Sequence, residues 1–115
     1  MPHIIIEHDS SISKKLNLGS MVKDLHTNLA SQKTVKLEFL KTRTIEVDNV
    51  LIGTGKHNQM IHVNVLLLTG RSTELKEKMS NDLFDIVKDY LDKSEIGMED
   101  CSLSVNVDEL GSYRK

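Results

Sequence analysis

Proline, cysteine and aromatic residues are scarce in this chain of 115 residues. There is one proline, Pro2, one cysteine, Cys101, and no tryptophan, and aromatics make up 3%. A lone cysteine allows no disulfide within the chain, which fits a reducing compartment. So few aromatics leave no stacking platform for single-stranded nucleic acid. A formal net charge of −2 supplies no basic surface for DNA or RNA. Long apolar runs are missing too: the longest is Val65-Leu66-Leu67-Leu68, far short of a membrane span. No basic segment followed by a long apolar core opens the chain. The expectation is a cytoplasmic protein with neither a membrane nor a nucleic-acid partner. What is present, 38% hydrophobic and 28% charged residues, excludes a disordered tail or a low-complexity polymer. The length suits one domain, 1–115, that buries its core without disulfides or metal.

The apolar pattern alternates between two periods. Ile4-Ile5-Ile6 reads as a strand buried on both faces. Leu18, Val22, Leu25 and Leu29 fall on one helical stripe, with the start capped by Ser13 or Ser20. Val35, Leu37 and Phe39 alternate with Lys36 and Glu38, which predicts a second strand running on through Ile45 and Val47. Gly53 to Asn58 is a turn or loop, and a third strand runs from about Met60 to Leu68. Ser72 or Thr73 caps the next helix, in which Leu75, Met79, Leu83 and Tyr90 recur at helical spacing. Leu103, Val105 and Val107 share one face of a fourth strand.

The order is β-α-β twice. Met1-Pro2-His3-Ile4 is echoed by Met60-Ile61-His62-Val63, and Ser13 and Leu16 by Ser72 and Leu75. These matches predict an internal repeat of about 59 residues, with halves of about 1–58 and 59–115. Each unit needs a right-handed crossover, so its two strands are parallel. The expected fold class is α+β in two layers: two tandem β-α-β units forming a four-stranded mixed sheet with both helices on one face. The other face would be bare, and strands apolar on both sides then call for association with further copies of the chain.

Two features carry chemistry. Initiator methionine is normally removed before a small residue, and removal here would expose the Pro2 nitrogen as a secondary amine. Desolvation and nearby cations disfavour the charged form of such an amine and fit it for general-base work near neutral pH. If Met1 stays, that nitrogen is a tertiary amide without useful basicity. Taken alone, proline in second place is also common without any such role. The second feature is Gly70-Arg71-Ser72-Thr73-Glu74-Leu75-Lys76 at a strand-to-helix junction. A guanidinium fork beside free helix N–H groups suits a carboxylate. The plainer reading is a surface arginine beside a capped helix.

Together these residues resemble the tautomerase superfamily. The Gly70-Arg71-Ser72 run is similar to that of 4-oxalocrotonate tautomerase. The whole chain resembles the 5-carboxymethyl-2-hydroxymuconate isomerase family, through Met1-Pro2-His3, Thr42-Arg43, Val47-Asp48, Gly55, His62-Val63 and Gly70-Arg71-Ser72 in that order. The resemblance implies a cofactor-independent isomerase or tautomerase of small unsaturated 2-hydroxy or keto carboxylic acids. It implies Pro2 as general base and Arg71 as the group that holds the substrate carboxylate and stabilises developing enolate charge. It also implies a homotrimer with pockets near subunit boundaries. A second family arginine falls at Lys41, which keeps the charge but loses the fork. Lys41 and Arg43 share one strand face, and either could enter the site. A non-catalytic trimeric module that binds small carboxylates, or a related proline-dependent hydratase or dehalogenase, are the alternatives.

Other residues point to less. His3, His8, His26, His57 and His62 show no i, i+4 pair on a helix and no cysteine partners, so no metal site is expected. Gly53-Thr54-Gly55-Lys56 lacks the spacing of a phosphate loop and reads as a turn. Cys101 is expected to be a small buried hydrophobe, and Met21 and Met79 core residues.

Overall fold

The β-branched run near the start becomes the middle of a sheet. In the computed structural model, which describes residues 2–97 and 99–115, strand β1 (His3–His8) pairs on one side with β2 (Lys41–Glu46) and on the other with β3 (Gln59–Leu67). Strand β4 (Cys101–Glu109) closes the order β2-β1-β3-β4. The β1–β2 and β3–β4 pairs are parallel, and the central β1–β3 pair is antiparallel. The two β-α-β units therefore meet head to tail, and the start of β1 lies beside the end of β3, with His3 opposite Leu66.

One sheet face carries the core. Ile4, Ile6, Ile61, Val63, Val65 and Leu67 are buried there. Against them pack Met21, Leu25 and Leu29 of helix α2 (Leu18–Ala30) and Met79, Leu83, Val87 and Leu91 of helix α3 (Thr73–Lys93). Each fully buried aliphatic chain contributes about 1.5–3 kcal/mol over its exposed state. Ser72 is the cap of α3, its side chain accepting from Leu75 N–H at 3.1 Å. The cap of α2 is Asn17, accepting from Ser20 N–H at 3.1 Å, rather than either serine expected. Tyr90 of α3 donates to the Asp24 carboxylate of α2, tying the two helices.

A short helix, α1 (Ser10–Lys15), was not legible in the sequence. Asp9 caps it, accepting from Ser11 N–H at 2.9 Å, and the same carboxylate accepts from Met60 N–H at 2.8 Å. One side chain thus fixes both the helix start and the edge of the β1–β3 pairing.

The strand expected from Val35 begins only at Lys41. Residues Leu37–Phe39 form a single 3-10 turn, closed by Phe39 N–H to Lys36 O and Leu40 N–H to Leu37 O. Register explains the difference. The β1–β2 pairing starts at His3 opposite Lys41, so residues ahead of Lys41 would need partners ahead of His3, where Pro2 has no N–H to offer. Val35 and Leu40 turn into the core instead, while Leu37 and Phe39 stay exposed.

The face away from the helices is open and more polar than the β-branched runs suggest. Arg43, Ile5, Asn64 and Asn106 form one row across it, and Ile45, Glu7, His62 and Ser104 the next. Ile5 is half-buried between Arg43 and Asn64, and Ile45 is 44% exposed. Among the described residues no helix is long and apolar enough to cross a membrane.

Candidate active site

Gly70 carries the turn that ends β3. Its φ of +109° is a conformation that side chains rarely tolerate, and the turn it makes delivers Arg71 to the mouth of the sheet. Arg71 then reaches back to two backbone carbonyls. Nη1 donates to Leu68 O at 3.1 Å and Nη2 to Thr34 O at 3.0 Å. Its Nε is buried with no partner among the described residues. Among the described residues no carboxylate pairs with Arg71. The guanidinium is held in place by neutral oxygens, which leaves its positive charge uncompensated.

The antiparallel centre of the sheet brings Pro2 to the same place. Pro2 precedes β1, beside the end of β3, and is buried; its carbonyl accepts from Lys41 N–H at 3.2 Å. Pro2 and Arg71 line one cleft of about 220 Å³. Phe39 and Leu68, 39% and 37% exposed, give it an apolar rim. Lys36 and Lys115 also line it, and Lys36 adds positive charge. A larger groove of about 310 Å³ lies between α3 and the free edge of β4, but its cation, Lys76, is already 3.6 Å from the Glu109 carboxylate. Chemistry, not size, singles out the smaller cleft.

Lys41 and Arg43 do not line that cleft. Both lie on the open sheet face, opposite His3 and Ile5 in the β1–β2 register. Arg43 Nη1 donates to His3 Nδ1 at 2.8 Å, and His3 Nε2 lies 2.8 Å from the Tyr113 hydroxyl. Burial first, then the charges of Arg43 and Lys41, hold the His3 imidazole below its ordinary pKa. Sequence reasoning missed Lys36, hidden in the segment read as strand, and Lys115, which belongs to no pattern. Met1, whose removal the proline chemistry requires, lies outside the described residues.

Neither Cys101 nor the histidines offer a rival centre. Cys101 is buried, and burial together with the Asp9 carboxylate pushes its thiol up to about 11, so it is no nucleophile. Among the described residues no group of three or more His, Cys, Asp or Glu could hold a metal ion.

The family model for 5-carboxymethyl-2-hydroxymuconate isomerase matches residues 2–115. The chain belongs to that family. Solved structures place its fold among the tautomerases. A 5-carboxymethyl-2-hydroxymuconate isomerase from Deinococcus radiodurans R1 superposes with a TM-score of 0.83 at 17% identity, over 99% of this chain and 88% of that one. A 5-carboxymethyl-2-hydroxymuconate delta-isomerase gives 0.78 at 11% identity, over 100% and 87%. A fused 4-OT described as a symmetric trimer gives 0.71 at 12% identity, over 95% and 87%. No curated sequence matches this isomerase-family chain significantly.

Proposed function

We propose that this isomerase-family chain is a cofactor-independent tautomerase of small unsaturated 2-hydroxy or keto carboxylic acids, with Pro2 as general base once Met1 is removed. The observation that carries the reading is the cleft shared by Pro2 and an Arg71 that no carboxylate among the described residues pairs with. Burial and the neighbouring cations disfavour an ammonium at that spot, so the prolyl amine stays neutral and basic.

The reaction is a proton transfer. The amine takes the hydroxyl proton of a conjugated enol acid. The conjugated system carries the charge, and the same proton returns to a carbon, leaving the keto isomer and a neutral amine. Arg71 donates to the substrate carboxylate and stabilises negative charge as it develops. Lys36 adds positive potential, and Phe39 and Leu68 shield the cleft from water. Lys41 and Arg43 face the sheet surface that further copies of the chain would cover, and a homotrimer in the cytoplasm is the assembly proposed. The neighbour described as a symmetric trimer supports that assembly.

The test follows ultraviolet absorbance during enol-to-keto conversion of 2-hydroxymuconate-like acids by tag-free protein, with its intact mass recorded. Conversion by the methionine-free protein is expected. Both Pro2→Ala and Arg71→Ala are expected to lower the rate by orders of magnitude. Wild-type rates in both variants would overturn the mechanism and leave a carboxylate-binding module.

A further inference from the structure

The segment after β4 folds back onto the cleft. Leu110 N–H donates to Leu67 O at 2.7 Å, the last rung of the parallel β3–β4 ladder, and the chain runs on from there. Tyr113 then meets His3, its hydroxyl 2.8 Å from Nε2 and the two rings edge to face at 5.6 Å between centroids. Two residues further on, Lys115 lines the cleft that holds Pro2 and Arg71.

The far side of the imidazole fixes the direction of the His3–Tyr113 bond. Arg43 can only donate, so His3 Nδ1 is the acceptor of the 2.8 Å contact. The ring is then neutral, with its hydrogen on Nε2, and it donates to the Tyr113 oxygen. Since His3 directly follows Pro2, the bond fastens the tail beside the proposed base.

We infer that His3 and Tyr113 are positioning residues: they latch the tail after β4, whose Lys115 lines the carboxylate cleft, and so set how tightly an anionic substrate is held. The inference rests on the carboxylate-binding reading of that cleft. Substrate binds the latched form. When only a fraction of molecules is latched, apparent affinity falls by that fraction, while the bound complex, being latched, reacts at its usual rate. The latch acts on KM and spares kcat.

The experiment uses the full-length, tag-free protein. KM and kcat are measured for an enol acid, the dissociation constant is measured for fumarate as an unreactive probe, and amide exchange is measured at Leu110. Tyr113→Ala is expected to raise KM and the fumarate constant about five- to tenfold, the weight of one neutral hydrogen bond, with kcat held within about twofold. Leu110 exchange is expected to quicken. Tyr113→Phe, which keeps the ring, falls between. His3→Gln accepts from Arg43 and donates to Tyr113, so it is expected to restore most of the affinity that His3→Ala loses. An unchanged KM and fumarate constant in Tyr113→Ala, or a fall in kcat alone, overturns the latch. If the wild type binds fumarate but converts no enol acid, the isomerase reading fails and the fumarate constants alone decide the latch. If the wild type does not bind fumarate, both fail.

Discussion

Arg71 and Thr34 lie 37 positions apart, yet the guanidinium of one donates to the carbonyl of the other at 3.0 Å. This bond joins the turn after β3 to the segment ahead of β2, and the cleft with Pro2 opens between them. The site is therefore made where the two β-α-β units meet. Its charge is oriented by carbonyls that neither attract a competing anion nor cancel it.

Replacing Arg71 separates charge from geometry. Arg71→Ala is expected to lower kcat/KM by roughly 10²–10³, the cost of losing one preorganised stabiliser of developing charge. Arg71→Lys keeps the charge but loses the fork that spans Leu68 and Thr34, and it is expected to recover only part of the rate. Thermal denaturation of both variants checks that the fold survives, with a loss of about 1–2 kcal/mol.

Gly70 tests the turn itself. A Cβ there meets no atom within 4 Å, so Gly70→Ala adds strain without a clash. At φ +109° that strain is expected to cost roughly 1–3 kcal/mol by denaturant unfolding. It also displaces Arg71, so activity is expected to fall further than stability predicts.

Asp9 gives stability an acid limit. Burial alone would raise its carboxyl, but hydrogen bonds from the Ser11 hydroxyl and from the Met60 and Ser11 N–H groups outweigh it and hold the group below the usual carboxylate range. A lowered folded pKa means its stabilisation is present above the unfolded value, about 3.9, and is lost as pH falls through the folded one. Wild-type stability is expected to drop below about pH 4 more steeply than that of Asp9→Asn. At neutral pH the variant is expected to be less stable by about 1–2 kcal/mol, measured by urea unfolding.

His3 behaves in the same sense on a different scale. Its folded pKa is lowered by burial, Arg43 and Lys41, so folding favours the neutral ring. The associated stability is full above the unfolded value, about 6.5, and declines as pH falls through the folded one. Imidazole proton resonances are expected to titrate below 6.5 in the wild type and to move upward in Arg43→Ala. A midpoint unchanged by that substitution would contradict the charge contact.

How much of this was legible depends on whether a residue's role is local. Ile4 and Ile6, the Leu75-to-Tyr90 stripe and the alternation of Leu103, Val105 and Val107 follow from burial on one face, so the sheet and the two long helices could be read. Helix α1 escaped because six residues burying only Ile12 leave no period to detect. Val35 to Phe39 alternated like a strand but had no neighbour to pair with, a fact of register rather than composition. Pro2 and Arg71 carry a family pattern. Lys36, Lys115 and the His3–Tyr113 contact exist only because distant segments meet, and nothing near them in sequence announces it.

The most direct test of Pro2 as the working base is nitrogen magnetic resonance on protein carrying ¹⁵N-proline, titrated alongside the pH dependence of kcat/KM, which reports groups of the free enzyme. Because Pro2 is the only proline, its signal is unambiguous. The account predicts one secondary-amine nitrogen whose deprotonation coincides with the rising limb of the rate profile. A nitrogen that does not titrate, or one that titrates apart from that limb, contradicts it.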